Sequence, residues 1–121
     1  MATIFTSVAE RRAADLWDGT TTASTVAWVG WGTSTQTAVK GDTALVAEAA
    51  EARVSGTLSQ PTTNINRVVA TITAASSKEV GEAGLFASSS AGTPMWVRGD
   101  FTKVALAAND AIQFTFEITW T

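Results

Sequence analysis

The stretch that decides the fold is Ile112-Gln-Phe-Thr-Phe-Glu-Ile-Thr-Trp120, close to the end of the chain. Its large apolar side chains occupy every second position: Ile112, Phe114, Phe116, Ile118 and Trp120. The residues between them are polar. Successive side chains of a strand point to opposite faces, so this alternation predicts a strand half-buried against a core. Asn109-Asp110, just before it, predicts a turn.

Further strands are predicted upstream of this one. Residues 53–59 and 65–74 flank the turn-forming residues 60–64 and predict an antiparallel pair. Residues 82–86 and 95–98 predict short strands, and the Ser- and Gly-rich residues 88–94 between them predict a surface loop.

The run Val26-Ala-Trp-Val-Gly-Trp-Gly32 is also typical of a strand, because it is rich in β-branched and aromatic residues. Its two glycines predict a bulge or a close approach of another backbone. After it, Asp42 is predicted to cap a short helix or a structured loop within the Ala- and Glu-rich residues 41–52.

One clear helix signal occurs near the start of the chain. Ser7-Val-Ala-Glu10 has the form of a capping box, in which Ser7 is the N-cap, and it predicts a helix over residues 8–17 that ends at Gly19. An apolar stripe would run along this helix through Ala9, Ala13, Leu16 and Trp17. The stripe predicts docking on a sheet or on a neighbouring subunit.

These elements predict an all-β fold, an antiparallel β-sandwich or jelly roll with a short N-terminal helix. The 121 residues fit a single domain, 1–121. We divide it into an N-terminal helical arm, 1–19, and a β-sandwich, 20–121.

The amino-acid composition excludes several kinds of catalytic and metal-binding site. The chain has no His and no Cys, which removes the Ser-His-Asp triad, thiolate catalysis and the usual zinc ligands. Glu79 and Glu82 are of the residue type that a glycosidase needs, but so short a chain leaves little room for a saccharide cleft. Loop oxygen donors are present as well, at Asp42, Asp100, Asn109 and Asp110, without the spacing of a calcium loop. We therefore predict no enzyme, no cofactor and no metal.

Charge and hydropathy limit the partners. The net charge is −3 and the eight Lys and Arg residues are scattered, so no basic stripe is predicted to bind nucleic acid. No apolar run is long enough to cross a membrane, and no secretory signal is recognisable. We expect synthesis in a cytoplasm. Arg98-Gly99-Asp100 matches a tripeptide that integrins bind, but Gly99 is predicted to form a bulge within the sheet instead.

Five tryptophans and no tyrosine form an unusual aromatic set. Exposed tryptophans stack on sugars, whereas buried ones serve a core or a subunit interface, and we favour the second role. We place an oligomer or shell interface on the N-terminal segment and the first strand. The predicted contact residues are Val8, Arg12, Leu16, Trp17, Trp28 and Trp31.

Several short motifs of this chain resemble motifs in small virion proteins of tailed bacteriophages. They are Trp31-Gly-Thr33, Gly41-Asp-Thr-Ala-Leu45, Glu82-Ala-Gly-Leu-Phe86, Val97-Arg-Gly-Asp-Phe101 and Asp110-Ala-Ile-Gln-Phe114, in that order. The resemblance covers nearly the whole chain, including the N-terminal helix.

The resemblance implies a capsid decoration, or cement, protein. Such a protein binds the outside of the major capsid protein shell as a jelly-roll dimer or trimer and stabilises the head. Its place would be the capsid exterior of the virion. Two alternatives stay open, a tail or fibre adaptor of the virion and a lectin-like binding module.

Overall fold

The computed structural model describes residues 2–20, 25–90 and 95–121. Within these ranges the chain forms one helix and eight strands. Their bounds are β1 Ala2–Phe5, α1 Ser7–Asp18, β2 Trp28–Gly32, β3 Val54–Ser55, β4 Thr57–Thr62, β5 Ile65–Thr73, β6 Lys78–Phe86, β7 Met95–Leu106 and β8 Ala111–Thr119. The predicted all-β class is confirmed.

The strands form two antiparallel sheets. The first has the order β1-β7-β6-β2-β3 and the second the order β4-β5-β8. The two sheets pack together as a β-sandwich, as predicted, whereas this strand order does not confirm a jelly-roll topology. Gly56 separates β3 from β4, so the chain passes there from the first sheet to the second.

The hydrophobic core lies between the sheets. The first sheet contributes Val29, Trp31, Val80, Ala83, Leu85, Val97 and Leu106, and the second contributes Val68, Ala70, Ile72 and Phe116. The ring of Trp31 meets that of Phe114 edge-on at 6.3 Å. Large apolar side chains from both sheets thus remove each other from water, which is the main favourable contribution to folding.

The start of the chain belongs to the sandwich. Residues 2–5 pair with 97–100 of β7, so the helical arm predicted over 1–19 begins with a strand of the first sheet. The helix follows nearly as predicted, but its N-cap is Thr6, whose Oγ1 accepts a hydrogen bond from Ala9 N at 3.2 Å. The predicted cap at Ser7 is wrong by one residue. Gly19 ends the helix in the left-handed conformation, with φ 74°.

Most strand predictions are confirmed in type, with altered bounds. The predicted pair 53–59 and 65–74 is the antiparallel hairpin β4–β5, although Gly56 divides its first strand. Residues 82–86 and 95–98 are parts of the longer β6 and β7. The turn at Asn109-Asp110 is present, and Asn109 has a φ of 74°. The predicted loop over 88–94 lies partly outside the described residues.

Candidate binding surface

Residues 33–53 run over the face of the first sheet that points away from the core and along the edge of β2, and we call them the clasp segment. No helix forms in it, so of the two forms predicted for residues 41–52 the structured loop is the one found. Part of its backbone is held by the carboxylate of Glu82. Glu82 Oε1 accepts from Val46 N at 2.9 Å, and Oε2 accepts from Ala47 N at 2.8 Å. Glu82 therefore provides the partners that a helix or strand would otherwise supply to these amides.

Arg98 completes this attachment. Its Nε donates to Glu82 Oε1 at 3.1 Å, one terminal nitrogen donates to Asp42 Oδ2 at 3.2 Å, and the other donates to the Gln36 carbonyl at 2.9 Å. The side chains of Arg98 and Glu82 are both 0% exposed. A buried charge is tolerated where it is paired and hydrogen-bonded, and both conditions hold here.

The glycines of β2 allow the clasp segment to lie close to the sheet. A Cβ on Gly32 would stand 2.5 Å from the Ala47 carbonyl oxygen and 2.5 Å from Glu82 Oε2. The predicted close backbone approach is therefore confirmed for Gly32. At the other end of the segment, Arg53 lies 3.4 Å above the Phe86 ring and pairs with Glu48.

These contacts involve two residues of the Arg98-Gly99-Asp100 tripeptide, Arg98 and Asp100. The Arg98-Gly99-Asp100 tripeptide is buried in β7, so it presents no recognition tip. Gly99 pairs in register with Ala83, and the two irregularities in the β6–β7 ladder fall between Val80 and Glu82 and between Leu85 and Phe86. The prediction of a bulge at Gly99 is therefore wrong. Arg98 and Asp100 instead serve the attachment of the clasp segment.

The oxygen donors considered for catalysis or calcium have other partners. Glu79 is exposed and lies 3.6 Å from Lys103, whereas Glu82 is sealed beneath the clasp segment, so the two carboxylates share no cleft. Asp100 Oδ2 accepts from Ala38 N, and Asp110 Oδ2 accepts from Ala107 N. Within residues 2–20, 25–90 and 95–121 no three His, Cys, Asp or Glu side chains cluster in a way that could hold a metal ion.

An apolar groove opens at one end of the sandwich, where the two sheets separate beside the helix. Its volume is about 370 Å³. The described residues that line it are Phe5, Leu16, Thr25, Val26, Leu58, Asn66, Val68, Leu85, Trp96, Ile118 and Trp120. None of these side chains is charged. The lining therefore favours an apolar occupant.

The aromatic rings of this groove are fixed by specific contacts. Phe5 meets Trp96 edge-on at 6.4 Å and Trp120 edge-on at 5.6 Å. The indole Nε1 of Trp120 donates to Asn66 Oδ1 at 2.7 Å. Trp120 is nevertheless 46% exposed. It is a large ring held in one orientation, and such a ring loses little conformational entropy when a partner covers it.

The helix extends the apolar surface. Ala9 is buried against the sandwich, Leu16 lines the groove at 38% exposure, and Trp17 is 92% exposed. The predicted apolar stripe thus docks through Ala9, while Trp17 does not pack on the chain. We call Leu16, Trp17, Trp96 and Trp120 together with the groove the α1 surface.

The six predicted contact residues lie in different places. Leu16 and Trp17 are at the α1 surface, and Arg12 is exposed on the same helix, where Val8 is half-buried. Trp28 is half-buried against Leu45, Phe86 and Met95, on the face covered by the clasp segment. Trp31 is 1% exposed and belongs to the core, so its prediction as a contact residue is wrong. Its neighbours Gly30 and Gly32 face the other side of β2, where Phe86, Glu82 and the clasp segment fill the space.

The sequence predictions missed Trp96, Trp120 and Phe5 as parts of one surface. The alternation of β8 predicts that Trp120 lies in the core, whereas 46% of the residue is exposed. The alternation identifies which side chains of β8 point toward the core, but it does not show where along the strand the sandwich ends. The groove lies at that end.

Comparison with protein-family models, with curated protein sequences and with solved structures gives no match to this chain. In the described part of the chain, no helix is long and apolar enough to span a membrane.

Proposed function

We propose that this chain is a capsid decoration protein of a tailed bacteriophage, which binds the outside of the major capsid protein shell and stabilises the head. The motifs that resemble virion proteins support this proposal from the sequence. The α1 surface supports it from the structure, because a highly exposed Trp17, next in the chain to Leu16 of an uncharged, aromatic groove, is characteristic of a protein-binding surface.

The α1 surface favours a protein over a sugar as the occupant. A sugar site combines a stacking ring with several polar side chains, whereas here Asn66 and Thr25 are the polar side chains among the described lining residues. Asn66 Oδ1 already accepts from Trp120. An apolar segment of a shell protein matches this lining better than a saccharide does.

The clasp segment supports the same role. A shell carries many copies of one contact, so a decoration protein gains avidity from modest individual contacts. Anything that binds the expanded shell and not its dissociated subunits stabilises that shell through linkage. A sandwich whose long connection is held by Arg98 and Glu82 loses little freedom on binding, which leaves more of the contact energy for stabilisation.

The test is co-sedimentation of the purified chain with undecorated shells of the major capsid protein. The variant Trp17→Ala should bind at least about 30-fold more weakly, since a tryptophan at the centre of an interface contributes about 2 kcal/mol or more. Its fold should be unaffected, because the side chain is 92% exposed.

The matched control is Val46→Ala, which removes another exposed apolar side chain, from the clasp segment. It should bind the shell like the wild type. Equal binding by Trp17→Ala and the wild type would contradict the α1 surface as the contact. Absence of binding by the wild-type chain itself would contradict the proposed function.

A further inference from the structure

The open edge of β8 differs from every other sheet edge in the described part of the chain. β8 pairs with β5 along its whole length, from Ala111 to Thr119, and no described strand pairs with its other side. It therefore presents nine residues of edge. An unprotected edge of this length is a template for another strand.

The remaining edges are short or blocked. β1 has four residues and β3 has two. β4 contains Pro61, and its ladder with β5 is irregular between Ser59 and Thr62. The part of β7 beyond the reach of β1, residues 101–106, carries Lys103. Proline, bulges, lysine and short length are the devices that prevent edge pairing, and β8 has none of them.

The backbone groups that face the open edge follow from the hydrogen bonds at the two ends of β8. Trp120 N donates to Asn64 O at 2.8 Å, and Ala74 N donates to Asp110 O at 2.7 Å. Hydrogen-bonded pairs alternate in an antiparallel ladder, so the even-numbered residues between these ends point their N–H and C=O groups at β5. The odd-numbered residues point theirs outward: Ala111, Gln113, Thr115, Glu117 and Thr119.

We propose that two copies of this chain pair through β8, antiparallel about a two-fold axis at Thr115, into one continuous six-stranded sheet. Each Thr115 N–H then donates to the Thr115 carbonyl of the other copy, and Gln113 and Glu117 exchange hydrogen bonds in the same way. The outward-facing donors and acceptors of β8 are all satisfied by this register.

The side chains fit this register as well. On the solvent face, Glu117 stands opposite Gln113 of the second copy, so no like charges meet. On the core face, Ile112 stands opposite Ile118 and Phe114 opposite Phe116, which continues the apolar layer between the sheets. A two-fold axis at Glu117 would instead place two carboxylates directly opposite one another, which is destabilising. The sequence of β8 is thus self-complementary about Thr115.

The first experiment is amide hydrogen exchange of the wild-type chain, measured by NMR over a range of concentrations. The outward amides of Gln113, Thr115 and Glu117 should become protected as concentration rises, and the mass in solution should rise from that of one 12.6 kDa chain to that of two. Amides that stay unprotected, or a chain that stays monomeric up to about 1 mM, would overturn the proposal.

The second experiment tests the register through the residue on the axis. Thr115→Lys and Thr115→Glu each place two like charges opposite one another, so each variant alone should self-associate about tenfold more weakly. An equimolar mixture should recover wild-type association, because Lys then faces Glu. The control Thr57→Lys makes the same change on the opposite edge strand, β4, and should associate like the wild type.

Circular dichroism and amide exchange establish whether each variant is folded. If a variant is unfolded, the wild-type exchange data decide whether β8 pairs with a second copy. Undiminished association of both single variants, or a mixture that fails to recover association, would overturn the two-fold axis at Thr115. The outcome does not depend on shell binding, since the experiments use the isolated chain.

Discussion

Glu51 shows how one residue can carry a measurable share of stability. Its side chain is 8% exposed and pairs with Lys78. Oε2 also accepts from Ala75 N at 2.8 Å, and Oε1 accepts from the indole nitrogen of Trp31 at 3.3 Å. Burial acts to raise the pKa of Glu51, but these hydrogen bonds outweigh it and lower the pKa to about 2. The carboxylate is thus favoured in its charged form.

The lowered pKa of Glu51 predicts a loss of stability in acid. A group whose pKa is depressed by folding stabilises the fold at pH values above its unfolded pKa of 4.5, and this contribution disappears as pH falls from there to about 2. Solvent screening reduces the contribution at neutral pH to about 1–3 kcal/mol. Glu51→Gln should lower the free energy of unfolding at pH 7 by about this amount, as measured by urea denaturation.

The difference between Glu51→Gln and the wild type should shrink to near zero at pH 2. The exposed Glu79→Gln is the control, and it should change the stability at pH 7 by less than about 0.5 kcal/mol. A difference for Glu51→Gln that persists undiminished at pH 2 would contradict the assignment of the effect to its ionised form.

Among the elements, the clasp segment contains no helix or strand of its own, and buried side chains add to the few backbone hydrogen bonds that attach it. Glu82 accepts from three of its backbone amides, those of Ser34, Val46 and Ala47. Arg98 neutralises that carboxylate and also binds the segment directly. The attachment should therefore fail when Arg98 is removed, even though most of the sandwich core lies on the other side of the sheet.

Arg98→Ala should destabilise the protein by about 3–5 kcal/mol, because it leaves Glu82 buried without its cation. Arg67→Ala is the matched control, since it removes the same residue type from a pair that is 40% and 45% exposed. It should cost no more than about 1 kcal/mol. Denaturant titration gives both values, and similar losses for the two variants would show that Arg98 does not hold the clasp segment.

At the scale of the whole molecule, the sequence predicted best where side-chain period alone decides the structure. The alternation in β8 and the turn at Asn109 are local signals, and both are present. β1 was missed because four residues are too few to show a period, and it forms by pairing with β7. Such pairing depends on residues more than 90 positions away in the chain.

The binding surface was only partly predictable for a related reason. Leu16 and Trp17 were expected at an interface from the helical stripe, and both lie on the α1 surface. The sequence also predicts Trp31 at this interface, but its ring is buried in the hydrophobic core. The burial of Arg98 and Glu82 could not be predicted from the sequence. Charged residues are rarely buried, and the sequence does not show which residues pair across strands.

The proposed capsid decoration is tested most directly by the copy number of this chain in purified virions of the phage proposed to encode it. Quantitative mass spectrometry would compare the chain with the major capsid protein. A decoration protein should be present in hundreds of copies, of the same order as the shell protein. A handful of copies would place the chain in the tail, and its absence from the virion would contradict the proposal.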